Sequence, residues 1–190
     1  DVYKRQLTSL NPLVSVERQL IETIQAHLDL DRAAARDKAL GLLTRVGIPD
    51  PALRMAQYPH EFSGGMRQRV VIALALCADP EVIIADEPTT ALDVSIQAQI
   101  LALMRELCRE RGVGMIVITH DMGVIADVAD RVVVMYRGEV VETGPTGKIL
   151  GDPDHPYTRS LISAIPRPDR KMERFPLVEY IESAGVARRS

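Results

Sequence analysis

The stretch that most constrains the fold runs from Phe62 to Asp93 and reads FSGGMRQRVVIALALCADPEVIIADEPTTALD. Two adjacent glycines open a helix that is predicted over 64–78. A mostly apolar strand, predicted over 81–85, follows and ends in two acids. Such a strand is typical of the centre of a parallel sheet, where both faces are buried. The stretch therefore predicts an α/β fold with its functional residues after the carboxyl end of a strand.

Several groups in this stretch suit a nucleotide phosphate and its metal ion. Gly64 and Gly65 leave backbone N–H groups uncovered at the positive end of the helix dipole, where anions bind. Asp86 ends the strand and can hold Mg²⁺. Glu87 is the next residue and can polarise a water molecule. We therefore expect a phosphate site near these residues.

A second apolar strand, predicted over 115–118, ends in a comparable way at Thr119-His120-Asp121. His120 follows the end of its strand as Glu87 follows the other. Because ligands of open α/β sheets bind at the carboxyl ends of the strands, we expect both side chains at one edge of the sheet. A lone histidine is more often structural than functional. The functional interpretation of His120 therefore depends on its position directly after the end of a strand.

Together, these motifs resemble those of ABC-type ATPases. Ser63–Gln68 is similar to the signature motif of that family, usually LSGGQ, with its last residue replaced. Ile83–Glu87 resembles the Walker B motif followed by the catalytic glutamate. Thr90–Asp93 resembles the D-loop, and Ile118–Asp121 resembles the H-loop. A lone SGG or DE would be weak evidence, whereas all four motifs in this order and spacing are specific.

The resemblance implies a head-to-tail pair of subunits that hold ATP and Mg²⁺ between them. It also implies a role for each matching residue. These roles are contact with the γ-phosphate of ATP seated on the partner (Ser63, Gly64 and Gly65), Mg²⁺ binding through water (Asp86), activation of the attacking water (Glu87), contact with the γ-phosphate (His120) and coupling of the two sites across the interface (Asp93).

A segment near the end of the chain narrows the branch of the family. Asp152–Pro166 contains His155-Pro156-Tyr157, which is similar to the C-terminal extension of oligopeptide and dipeptide importer ATPases. The resemblance implies ATP-driven uptake of peptides or similar small solutes. It implies as partners membrane permease subunits, a second ATP-binding subunit or domain and, indirectly, a periplasmic or extracellular solute-binding protein. The implied location is the cytoplasmic face of a bacterial or archaeal plasma membrane.

The sequence contains no Walker A loop, G-x-x-x-x-G-K-[ST]. Gly144–Lys148 comes nearest, but its glycines are too close together and Ile149 stands where Ser or Thr must reach Mg²⁺, so it is predicted to start a helix. The family's Walker A loop is expected before Leu7. The fold class expected is therefore α/β, an incomplete P-loop NTPase core with an all-α helical subdomain and a short C-terminal extension.

Four segments are expected along the chain. They are a non-native scar or, alternatively, a divergent N-terminus (1–6), the helical subdomain with the signature motif (7–78), the part of the α/β core with Walker B, D-loop and H-loop (79–150) and the C-terminal extension (151–190).

Patterns within the helical subdomain give further expectations. Helices are predicted over 15–30 and 32–46, and the exposed segment after Asn11 is a candidate docking surface for partners. Arg67 and Arg69 are either phosphate ligands or solvated side chains. The core-facing residues predicted on the signature helix are Val71, Leu74, Ala75 and Ala78.

Composition limits the alternatives. A net charge of -3 over 190 residues gives no basic field for nucleic acid. The two cysteines, Cys77 and Cys108, have no CxxC spacing and are expected to be reduced thiols. Two other functions stay open: an ABC ATPase that is not a transporter, and a non-enzymatic interaction fragment. Measuring ATP binding by the 190 residues separates enzyme from fragment, and we expect weak binding because the sequence lacks the phosphate-cradling loop.

Overall fold

The computed structural model describes residues 10–89 and 92–164. The chain divides into two compact units, 1–119 and 120–190, and each is described by itself. The boundaries expected after residues 78 and 150 stay predictions. No helix in the described part of the chain is long and apolar enough to cross a membrane.

The first unit contains a set of packed helices and two parallel strands. The first two helices begin near the predicted residues 15 and 32, and side chains cap both: Ser15 Oγ accepts a hydrogen bond from the Arg18 amide, and Asp31 Oδ1 accepts one from the Ala34 amide. The elements are α1 (Val16–His27), α2 (Arg32–Arg45), α3 (Pro51–Arg54), a 3₁₀ turn (Pro59–Glu61), α4 (Gly64–Leu76), β1 (Val82–Asp86), α5 (Val94–Arg111) and β2 (Gly114–Ile118).

The core of this unit lies between α1, α2, α4 and α5. Leu20, Ile24 and Leu43 are among its fully buried side chains. The predicted core face of α4 is confirmed only in part: Val71 and Leu74 are half-buried and pack against the core, whereas Ala75 is exposed. The residues of α4 that are buried are Val70, Ile72, Ala73 and Leu76. The helix is apolar on almost every side, so its periodicity did not single out one face.

Strands β1 and β2 pair in parallel, with Val82 opposite Gly114 and Asp86 opposite Ile118. The face that carries Ile83, Ala85, Met115 and Val117 packs against the helical core. The opposite face is open: its apolar residues have exposed fractions of 54% (Val82), 67% (Ile84), 52% (Ile116) and 52% (Ile118). The expectation of burial on both faces is therefore wrong for the described residues, where helices cover only one face of the strand pair.

Cys77 and Cys108 are both buried free thiols. Burial raises the pKa of the Cys77 thiol to about 11, and it also raises the pKa of Cys108. Both side chains are therefore protonated near neutral pH, the form that packs as a small apolar group.

Arg69 has a structural contact that was not predicted. Its Nη1 donates a 2.5 Å hydrogen bond to the carbonyl oxygen of Val46, the residue that caps the end of α2. Cations at helix C-termini satisfy carbonyl groups and interact favourably with the dipole. Arg69 thus links α4 to the end of α2, and the two roles expected for it, phosphate ligand or solvated cation, are replaced by this one.

Gly47 and Gly112 form a matched pair for testing this contact. Both have positive φ, 74° and 66°, and both follow the end of a helix. A Cβ at Gly47 would lie 2.8 Å from Arg69 Nη1, whereas a Cβ at Gly112 would have no described atom within 4 Å. We expect Gly112→Ala to lower the free energy of unfolding by about 1–2 kcal/mol, the cost of a left-handed backbone for an L residue. Gly47→Ala should lower it by about 1 kcal/mol more, because the Arg69 hydrogen bond is also displaced. Equal losses in urea denaturation would contradict the role assigned to Arg69.

The second unit is a hairpin flanked by short helices. Arg137 and Gly138 join its strands with φ of 50° and 86°, the positive values that a two-residue type I′ turn requires. The helix start predicted at Gly144–Lys148 is confirmed. The elements are α6 (Met122–Val128), β3 (Arg131–Tyr136), β4 (Glu139–Pro145), α7 (Thr146–Gly151) and α8 (Pro156–Ser163).

The His155-Pro156-Tyr157 element begins α8 and is bound to the hairpin. The Glu142 carboxylate accepts hydrogen bonds from the amides of Asp154 (2.8 Å) and His155 (3.1 Å). The Thr158 hydroxyl and these amides lower the pKa of Glu142. The rings of Tyr157 and Tyr136 lie 4.3 Å apart between centroids. This element is therefore an integral part of the second unit. Residues 165–190, which complete the predicted extension, lie outside the described part.

Candidate functional site

The predicted Walker B residues lie where β1 ends beside β2. Asp86 is the last residue of β1 and is exposed. The Glu87 amide donates a 2.8 Å hydrogen bond to the carbonyl oxygen of Ile118, the last residue of β2. Glu87 is half-buried and has a φ of 49°, a left-handed conformation that is uncommon for a residue other than glycine. Such backbone strain persists where the surrounding structure enforces it, and it concentrates at functional sites.

The predicted signature residues form the first turn of α4. Ser63 is the N-cap, and its Oγ accepts a 3.3 Å hydrogen bond from the Met66 amide. The Arg67 amide donates to the Ser63 carbonyl at 2.9 Å. The amides of Gly64 and Gly65 precede these and have no acceptor within the helix pattern. At the positive end of a 13-residue helix, this turn suits an anion.

The same turn packs against the residues that flank the predicted D-loop aspartate. A Cβ on Gly64 would lie 3.7 Å from Leu92 Cδ2, and one on Gly65 would lie 3.1 Å from Ile96 Cγ2. Asp93 stands between them as the N-cap residue of α5. The structure therefore brings the signature turn and the D-loop aspartate together within one chain, a proximity that the linear motifs do not reveal.

Sequence reasoning missed two glutamines that hold the segment between these motifs. Gln68 Nε2 donates to the Pro88 carbonyl at 2.9 Å. Gln97 Nε2 donates to the carbonyls of Thr89 (3.1 Å) and Leu92 (3.0 Å). Gln68 is only the end of the signature-like stretch in the sequence, and Gln97 matches no catalytic spacing, so the sequence did not predict either contact.

His120 belongs to the second unit and is exposed. The next residue, Asp121, caps α6: its Oδ1 accepts hydrogen bonds from the amides of Gly123 (2.8 Å) and Val124 (3.4 Å). The H-loop position therefore leads directly into a capped helix. The expected approach of His120 to Glu87 stays a prediction.

The acidic residues at the end of β1 could supply only part of the coordination shell of a metal ion. Across 10–89 and 92–164, no group of three or more His, Cys, Asp or Glu side chains could hold a metal ion. Mg²⁺ in nucleotide sites commonly takes one or two carboxylates and fills its remaining positions with phosphate oxygens and water. A single exposed carboxylate, Asp86, fits that donor set.

Two family models match the sequence. The model described as "ABC transporter" matches residues 2–90, and the model described as "Oligopeptide/dipeptide transporter, C-terminal region" matches residues 141–184.

Curated relatives match most of the chain. It is 53% identical over 168 residues to the dipeptide transport ATP-binding protein DppD of Bacillus subtilis, covering 88% of this chain and 50% of the relative. It is 54% identical over 165 residues to the oligopeptide transport ATP-binding protein OppD of the same organism, covering 87% of this chain and 46% of the relative. The chain thus spans about half the length of the curated relatives it matches.

Solved structures give the same result for the fold. A dimeric post-hydrolysis state of the ATP-binding cassette MJ0796 with ADP and Pi matches with a TM-score of 0.64 and 30% identity, over 74% of this chain and 60% of that one. The structure of cbiO1 from Clostridium perfringens matches with a TM-score of 0.65 and 29% identity, over 75% and 55%. The predicted α/β fold of the P-loop NTPase class is confirmed. From its motifs, its fold and its relatives, the chain belongs to the ABC transporter family of ATP-binding proteins, in the oligopeptide/dipeptide branch.

Proposed function

We propose that the whole protein is the ATP-binding subunit of an ABC importer and hydrolyses ATP to drive uptake of peptides or similar small solutes. The observation that carries this proposal is Glu87, a carboxylate held in a strained backbone conformation between the ends of two parallel strands. The relatives named as dipeptide and oligopeptide transport ATP-binding proteins support the substrate class.

Each site residue has a distinct task in this proposal. Ser63, Gly64 and Gly65 bind the γ-phosphate of a nucleotide on the partner subunit through the N-terminal turn of α4. Asp86 would hold Mg²⁺ through a bound water molecule, and the ion would supply positive charge that neutralises the phosphates. Glu87 orients the attacking water and accepts its proton. His120 contacts the γ-phosphate, and Asp93 transmits the state of one site to the other across the dimer.

The partners proposed are a pair of membrane permease subunits, a second ATP-binding subunit or domain and a solute-binding protein that acts indirectly. The protein would then reside on the cytoplasmic face of the plasma membrane, bound to the permeases. The dimeric state named for the MJ0796 cassette supports the paired arrangement.

The segment after Asn11 is the candidate docking surface for the permeases. Leu13 there has an exposed fraction of 85%, and the Asn11 carboxamide holds this turn by accepting a 3.0 Å hydrogen bond from the Leu13 amide. We expect Leu13→Asp to reduce co-purification with the permeases, because a charge would be desolvated at the contact. Ala33→Asp, on the exposed start of α2, is the charge-matched control. Equal recovery of permease with both variants would exclude Leu13 from the contact.

The test of the function uses membrane vesicles that contain the protein from its full reading frame, its permeases and the solute-binding protein. Labelled di- and oligopeptides should accumulate when MgATP is supplied on the side of the ATP-binding subunit. A nonhydrolysable ATP analogue should not support uptake. ATP hydrolysis that does not require the permeases or peptide, together with no uptake, would favour a non-transport ATPase.

A further inference from the structure

Gln68 links the signature helix to the segment that carries Glu87. It lies in the second turn of α4, after Ser63, Gly64 and Gly65, and its Nε2 donates a 2.9 Å hydrogen bond to the Pro88 carbonyl. Because proline has no backbone N–H, the backbone of Pro88 can form a hydrogen bond through its carbonyl oxygen but not as a donor. The contact joins residues 20 positions apart and is partly shielded from solvent.

The segment from Glu87 to Thr89 needs such support. The positive φ of Glu87 is unfavourable for an L residue, so contacts on both sides must enforce it. On one side the Glu87 amide is bonded to the end of β2. On the other side Pro88 and Thr89 are buried, and their carbonyls accept hydrogen bonds from Gln68 and Gln97. The position of Glu87 thus depends on side chains from α4 and α5.

We propose that Gln68 is a positioning residue, whose amide fixes the Glu87–Thr89 segment to α4 and thereby couples the position of the signature turn to that of Glu87 in the same chain. One rigid helix carries Ser63, Gly64, Gly65 and Gln68, so a shift of α4 that follows phosphate contact at its first turn also moves the group that holds Pro88. The catalytic part of this inference rests on the proposed function. The hydrogen bond and its effect on the segment do not.

The experiment compares three variants of the protein expressed from its full reading frame. Gln68→Met keeps a similar side-chain shape and removes the donor. Gln68→Lys restores a donor on a long side chain. Gln99→Met is the matched control, because Gln99 is an exposed glutamine on α5. Two quantities are measured: hydrogen exchange of the Glu87 and Leu92 amides, which bond to Ile118 and Thr89, and the kcat and KM of ATP hydrolysis.

We expect Gln68→Met to speed exchange of these two amides and to lower kcat, each roughly fivefold, which corresponds to the loss of one ordinary hydrogen bond. KM should stay within about twofold, because the group that holds the water is misplaced while the ground-state contacts with ATP remain. Gln68→Lys should recover part of both losses, and Gln99→Met should resemble the wild type.

Unchanged exchange in Gln68→Met would overturn the proposal. It would also be overturned if Gln68→Lys lost as much as Gln68→Met, since the effect would then not depend on a donor. If the protein hydrolysed no ATP, the proposed function would fail, and the exchange measurement would still decide whether Gln68 positions the segment.

Discussion

Glu87→Gln is expected to lower kcat for ATP hydrolysis by about 10²–10⁴-fold, the usual contribution of a positioned general base. Glutamine has nearly the same shape and keeps the backbone contact between the Glu87 amide and Ile118, but its amide group does not accept a proton from water. ATP binding should remain, because Glu87 acts on the attacking water and not on the ground-state nucleotide. The measurement is phosphate release in parallel with nucleotide binding.

The control for this substitution is Glu106→Gln, which makes the same chemical change on the exposed surface of α5. It should hydrolyse ATP at the wild-type rate. If Glu87→Gln retained normal turnover, the assignment of Glu87 as the catalytic base would be wrong. If it lost binding and turnover together, the role of the residue would be in holding the nucleotide site together.

Leu20→Ala, a truncation in α1, should produce a large loss of stability. Leu20 has an exposed fraction of 0% and belongs to the core shared by α1, α2 and α4. Removing its buried carbons loses their transfer free energy and leaves a cavity, so the free energy of unfolding should fall by about 2–5 kcal/mol. Urea denaturation followed by circular dichroism measures this change.

Leu13→Ala makes the identical chemical change at a leucine with an exposed fraction of 85%. We expect an effect of less than about 0.5 kcal/mol there, because little surface is removed from water contact. Similar losses for both variants would show that Leu20 is not part of a packed core in solution.

Local signals in the sequence predicted the ends of the elements well. The helix starts predicted near residues 15 and 32 agree with the structure, where Ser15 and Asp31 are the caps, and Gly112 ends α5 in the left-handed conformation that favours glycine. The strand–acid order of residues 82–87 also predicted where β1 would end. These features depend on interactions between residues close in sequence, which is why a single sequence contains them.

Contacts between distant residues were not predicted. The role of Arg69 depends on Val46, which reaches it only after α2 and α4 have packed together. Gln68 depends in the same way on Pro88. The exposure of one face of β1 and β2 was also not predicted. Apolar residues on both faces of a strand show that both faces can be buried, but they do not show which neighbouring elements cover them.

The narrow gap between Gly65 and Ile96 links two positions that are 31 residues apart in the sequence (96 minus 65). A methyl group at position 65 would lie 3.1 Å from Ile96 Cγ2, so the backbone or the Ile96 side chain would have to shift. Evolutionary change at these positions should therefore be correlated. A family member with alanine in place of this glycine should carry a side chain at the position of Ile96 that lacks the γ-methyl group, and a glycine here permits the full β-branched residue.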